Sequence, residues 1–134
     1  MLLRLIPNRG GDGTVHGIIA MNDTGSDVLS LFYSDLQYLG NRQGYTGWRG
    51  VIPISYGNGT IQYYARIKVE VQLVRDDNIP WSDWIEELAI VKPDSPGLLR
   101  LSGYGIRNAV YLGTSPGNHS LAVATTKSGL ASLL

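Results

Sequence analysis

Tyr56-Gly57-Asn58-Gly59, set between Val51-Ile52-Pro53-Ile54-Ser55 and Thr60-Ile61-Gln62-Tyr63-Tyr64, constrains the fold of this chain more than any other segment. Two β-branched and aromatic runs joined by a turn rich in glycine and asparagine are a strong hairpin signal. The second arm runs on through Ile67, Val69, Val71 and Leu73, alternating with Lys68, Glu70 and Gln72, the period of a strand with one face in water. Seventeen glycines, and further short runs of this kind between turn signals, extend the reading to a mainly β protein.

Leu2 to Ile6 and Val15 to Met21 are expected as strands, joined through Gly10-Gly11-Asp12-Gly13. Val28 to Phe32 is expected as another strand, followed by a short helix from Ser34 to Leu39, capped by Ser34 and stopped by Gly40. Asn41 to Gly50 reads as loop. In Trp84 to Val91 the pair Glu86-Glu87 suits a helix, yet Leu88-Ala89-Ile90-Val91-Lys92-Pro93 ends like a strand, and strand is the reading adopted. Leu98 to Leu101 precedes Ser102-Gly103; Gly105 to Leu112 is expected as a second short helix and Leu121 to Thr125 as a final strand.

A chain of 134 residues fits one domain, 1–134, and is too short for two lobes of ordinary size. A site built from two equivalent halves must therefore borrow one from a second chain. Eleven basic and eleven acidic residues balance, and no Lys/Arg cluster marks a footprint for nucleic acid or anionic lipid. The lack of cysteine removes thiolate catalysis, and it fits a reducing, intracellular, cytoplasmic setting. His16 and His119 are isolated and add no metal spacing, so neither metal nor cofactor is expected. No window approaches the length of a membrane span. The apolar ending Gly129-Leu130-Ala131-Ser132-Leu133-Leu134 suits a domain cut from a longer polyprotein.

Within this frame Asp23-Thr24-Gly25 carries the chemistry. It closes the largely apolar run Gly17-Ile18-Ile19-Ala20-Met21-Asn22, and a carboxylate leaving a buried strand into a tight turn is held in place with little water around it. The same tripeptide also serves as a plain Asx-type turn between strands.

The order of parts resembles the retropepsins, the single-domain aspartic proteases of retroviruses, retrotransposons and their cellular relatives. A hairpin, Asp-Thr-Gly, a strand with a short helix, a flap hairpin, a strand pair, a glycine before a helix and a terminal strand follow in sequence. Asp23 to Gly40 is closest to the transposon-type pattern. Asn22 stands where the family usually has an apolar residue, Ser102 where it has an aliphatic one, and Tyr104-Gly105 intervenes before Arg107-Asn108.

The resemblance implies a closed β-barrel acid-protease fold with one or two short helices, paired as a homodimer. Two copies of Asp23 would meet at the twofold axis. Carboxyl groups about 3 Å apart share one proton, so one acts as base on a water while its twin acts as acid. Thr24 would hydrogen-bond across the axis, Gly25 would admit the substrate backbone, and Ser26 would bond the outer oxygen of the aspartate. Asp27 would contact substrate main chain or pair with an arginine, Arg107 being the candidate. Tyr56, Gly57, Asn58 and Gly59 would form a flap over an extended peptide, with Gly103 behind the dyad. The implied activity is endopeptidase cleavage of an extended peptide or of the chain's own polyprotein. Asn22 and Ser102 keep open a second reading, a retropepsin-like dimerisation or peptide-binding module with negligible turnover. An unrelated β-barrel binding domain is the third, favoured by a tight monomer.

Overall fold

The computed structural model describes residues 1–23 and 25–134. Its elements run β1 (Leu2–Leu5), β2 (His16–Gly17), β3 (Ala20–Met21), β4 (Leu29–Phe32), α1 (Tyr33–Leu36), β5 (Trp48–Ser55), β6 (Ile61–Gln72), β7 (Ile85–Lys92), β8 (Arg100–Leu101), α2 (Tyr104–Ala109), β9 (Tyr111–Gly113), β10 (Ala122–Ala124) and α3 (Lys127–Leu133). The protein is mainly β, and among the described residues no helix is long and apolar enough to cross a membrane.

The long strand β6 organises the sheet. Its outer half pairs antiparallel with β5 and its inner half with β1, while β7 lies along its other edge from Ala65 to Val71. β4 then joins β7 in parallel, giving the order β2-β1-β6-β7-β4 with β5 also on β6. The alternation read from sequence is what seats it: Ile67, Val69 and Val71 are fully buried, while Lys68, Glu70 and Gln72 reach partly into solvent. Leu3, Leu5, Leu29, Leu31, Leu39 and Val91 complete the centre of the core. Burying each such side chain is worth about 1.5–3 kcal/mol.

Several expectations are corrected. No closed barrel forms among the described residues, because the outer strands β2 and β4 do not pair and the remaining strands make two separate two-stranded sheets, β9 with β10 and β3 with β8. Val15 to Met21 is not one strand: β2 pairs with β1, Ile18 turns into the core, and β3 crosses to run parallel with β8. Strand β5 begins at Trp48, inside the expected loop, with a register shift before Val51. The helix expected from Gly105 to Leu112 ends at Ala109, because Tyr111–Gly113 pairs with β10.

A third short helix, α3, follows the final strand. Thr126 caps it, its hydroxyl accepting from the Gly129 main-chain nitrogen at 3.0 Å.

Candidate active site

Asp23 follows β3 after one residue, Asn22. The parallel partner of β3, strand β8, lies close to β4 as well, so the segments on either side of Asp23 both border Arg100–Leu101. Two further bonds tighten this seam. The Ser102 nitrogen donates to the Met21 carbonyl at 2.9 Å, and the Leu101 nitrogen to the Ser30 hydroxyl at 2.7 Å.

Asp23 is half-buried and held by its main chain and its side chain together. Its nitrogen donates to the buried Ser102 hydroxyl at 3.3 Å, and its carbonyl accepts from the Ser26 nitrogen at 3.2 Å and from Arg107 Nη1 at 2.8 Å. One carboxylate oxygen, Oδ1, accepts from the Gly25 nitrogen at 2.9 Å. Among the described residues no donor reaches the other oxygen, Oδ2. The turn is therefore closed both by its backbone and by the aspartate itself.

Helix α2 supplies the clamp. Arg107 also donates to the Ser26 carbonyl, so one guanidinium spans both ends of the turn, and it lies 4.9 Å from the Tyr104 ring centre one helical turn earlier. The expected pairing of Arg107 with Asp27 is not made: the arginine is spent on main-chain carbonyls, and the exposed Asp27 is tied in through its own carbonyl, which accepts from the Tyr104 nitrogen at 3.3 Å. Nor does Ser26 bond the aspartate carboxylate; its hydroxyl donates to the Val28 carbonyl at 2.7 Å. Asn22 is exposed, and Thr24 lies outside the described residues.

Gly103 sits in the interior. A Cβ there would stand 2.6 Å from the Leu29 nitrogen and would run into the Glu87 carboxylate, so only glycine fits. Glu87 itself was missed from sequence. It is 1% exposed in the middle of β7; Oε1 accepts from the Ile106 nitrogen at 2.6 Å, and among the described residues Oε2 has no partner. Burial pushes this carboxyl up to about 7, against the opposing pull of the Ile106 and Gly105 N–H groups and of the Arg107 charge.

The expected flap is an exposed hairpin tip. The Gly59 nitrogen donates to the Tyr56 carbonyl at 2.9 Å with Gly59 at φ +83°, and the Asn58 side chain accepts from the Thr60 nitrogen. Tyr56 and Tyr64 share a hydroxyl bond of 2.5 Å, extended to Gln62 at 2.6 Å. Among the described residues no hydrogen bond joins this tip to the Asp23 turn.

No group of three His, Asp or Glu side chains that could hold a metal ion occurs among the described residues. No protein-family model, curated protein or solved structure matches this chain.

Proposed function

We propose that this protein is an aspartic endopeptidase of the retropepsin type, acting as a homodimer on extended peptide or polyprotein segments. The observation that carries the reading is the fixed pose of Asp23: three elements of its surroundings, Ser102, Gly25 and Arg107, hold it, and among the described residues no donor reaches Oδ2. Preorganisation of this kind is what general acid–base catalysis by a carboxyl group needs. Exposed Met21, Leu98 and Leu99 flank the β3–β8 seam that leads to Asp23, a surface suited to apolar substrate side chains.

One chain supplies one such carboxyl, and a second copy would supply the other. The ionised Asp23 takes a proton from water as the water oxygen attacks the peptide carbonyl carbon. The protonated Asp23 of the second copy donates to the carbonyl oxygen; as the C–N bond breaks, the leaving nitrogen takes the proton held by the first Asp23 and a hydroxyl of the tetrahedral adduct returns one to the second, leaving a carboxylic acid, an amine and the pair in its starting state. The exposed hairpin at Tyr56 to Gly59 would serve as the flap over an extended peptide.

A peptide-binding or dimerisation module without turnover is favoured by a different feature of the same turn. The bond from Gly25 to Oδ1 is also what an inert Asx turn makes. Incubation of concentrated protein with a mixed peptide pool from pH 4 to 7, alongside sedimentation, separates the two. Cutting by the wild type, lost at least a thousandfold in Asp23→Asn with the dimer retained, supports the enzyme. An intact pool with a stable dimer supports the module, and undiminished cutting by Asp23→Asn ends the proposed mechanism.

A further inference from the structure

Glu87 is the one fully buried carboxylate whose second oxygen is unpaired among the described residues, and it lies directly beneath the helix that grips the Asp23 turn. Buried carboxylates are ordinarily satisfied at both oxygens, so an orphan of this kind needs a reason. Its surroundings are built around it. Gly103 and Gly105 both lack the Cβ that would collide with the carboxylate, and the Ile106 nitrogen donates to it at 2.6 Å.

The groups facing Glu87 are few. Across the sheet, β6 places the apolar Val69 opposite it, and β4 brings Leu29. Lys68 and Glu70 of β6 alternate onto the other face of the sheet, where Lys68 meets Glu86 and Glu70 meets Arg4. On β8, Arg100 is occupied by Asp35. From α2, Tyr104 is exposed, and Arg107 is the cation whose charge acts on Glu87. That same Arg107 donates to the carbonyls of Asp23 and Ser26.

We propose that Glu87 is a positioning residue for the Asp23 turn, acting through the start of α2 and through Arg107, and that uptake of one proton at its unpaired oxygen loosens that hold. Ionised, Glu87 accepts charge-assisted bonds from the first turn of α2 and offers a counter-charge that keeps the guanidinium in its partly buried place. Neutral, it loses the counter-charge and weakens the Ile106 N–H bond. Arg107 then has less to keep it from water, and its grip on the two carbonyls slackens. The consequence for catalysis rests on the reading of Asp23 as half of a hydrolytic pair; the coupling itself does not.

The test is amide NMR of the full chain between pH 5 and 8. In the wild type, the Gly105 and Ile106 signals and the Gly25 and Ser26 signals should move with one common midpoint near 7. Glu87→Gln should abolish the movement at both places. Arg107→Met should preserve it at Gly105 and Ile106 and abolish it at Gly25 and Ser26. The proposal is overturned if Gly25 and Ser26 stay still while Gly105 and Ile106 titrate, if nothing titrates, or if the movement survives in Glu87→Gln. Should that variant not fold, the side-chain carboxyl carbon of Glu87 in the wild type serves instead, and a midpoint different from that of Gly25 overturns the coupling. Absence of peptide cutting would sink the proteolytic reading and leave this result intact.

Discussion

Two carboxylates, Asp35 and Glu87, are equally withdrawn from water, each 1% exposed, yet they are handled in opposite ways. Asp35 is saturated. Arg100 grips it with two donors at 2.7 and 2.8 Å, the Phe32 nitrogen donates at 2.9 Å at the start of α1, and His16 Nε2 lies 3.2 Å away, its ring stacked on Tyr38. Burial pushes the Asp35 carboxyl up, but the Arg100 and Phe32 bonds, the Arg100 charge and the His16 contact together outweigh it and hold the group below the usual carboxylate range. Glu87 has the Ile106 N–H on one oxygen and, among the described residues, no donor on the other, so burial wins. The difference teaches that depth alone does not set how a buried acid titrates; the count of donors and the nearness of a guanidinium do.

The sharpest way to break this comparison is to remove the saturated acid. Asp35→Ala leaves Arg100 without its partner and frees the Phe32 nitrogen, a loss of about 3–5 kcal/mol expected for half of a buried ion pair. Urea unfolding should show the midpoint falling steeply with little change in slope. A loss below about 1 kcal/mol would mean that Arg100 finds water, and that Asp35 is no more than a surface pair.

Glu87→Gln comes next, and its sign depends on pH. The folded protein holds the Glu87 proton more tightly than the unfolded chain, whose value is 4.5. Stability from this group is therefore fully present below pH 4.5 and is lost as pH rises through about 7. The loss approaches about 3 kcal/mol above that point. Unfolding free energies of Glu87→Gln should lack this downward limb, so that at pH 8 the variant overtakes the wild type by up to that amount. Asp35 gives the mirror image: its stability is present above the ordinary carboxylate value of 3.8 and is lost as pH falls through its lowered folded value. Parallel limbs for the two acids would break the contrast.

These two sites also mark how far the sequence could be read. The hairpin at Tyr56 to Gly59 was legible because everything that makes it lies within five residues: Gly59 takes the positive φ, and Asn58 binds Thr60. Around Asp23, the apolar lead-in and the turn were legible, but Ser102 and Arg107 reach it from 79 and 84 residues away, and no local pattern reports such a partner. Ser102 looked like a flaw for want of an aliphatic side chain; in place, its hydroxyl meets the Asp23 nitrogen. Glu87 actively misled, since a strand interior is a poor place for a carboxylate, and Glu86-Glu87 argued for a helix until the apolar run beyond it was weighed. The cap of α1 was misplaced by the same kind of non-local economy. Asp35, three residues in, binds the Phe32 nitrogen, and Ser34 presents its own nitrogen to Asp94 at 3.0 Å. Helix α3 was hidden by Gly129, a poor helix residue that here takes the Thr126 cap.

A smaller effect is expected from Arg100→Lys. The charge survives, but the two-pronged grip on Asp35 does not, nor does the planar group lying 5.2 Å from the Phe32 ring centre. A loss of about 1–2 kcal/mol in urea unfolding at pH 7 fits a carboxylate that keeps one donor of its pair. A loss as large as that of Asp35→Ala would mean that the fork geometry, rather than the charge, satisfies the aspartate.

The smallest effect belongs to Glu86, the immediate neighbour of Glu87, which serves as the control. Strand alternation sends its side chain to the opposite face, where it is half-exposed and stands 3.6 Å from Lys68 Nζ. Water already solvates both partners of such a pair, so Glu86→Gln should change stability by less than about 0.5 kcal/mol and leave the wild-type fall between pH 4.5 and 7 in place. One residue along the same strand would then separate an inert carboxylate from one that sets the pH response, with side-chain direction as the only difference between them. If Glu86→Gln flattened that limb, the response would belong to the summed charge of the strand, and the contrast between Asp35 and Glu87 would lose its basis in the missing donor at Oε2.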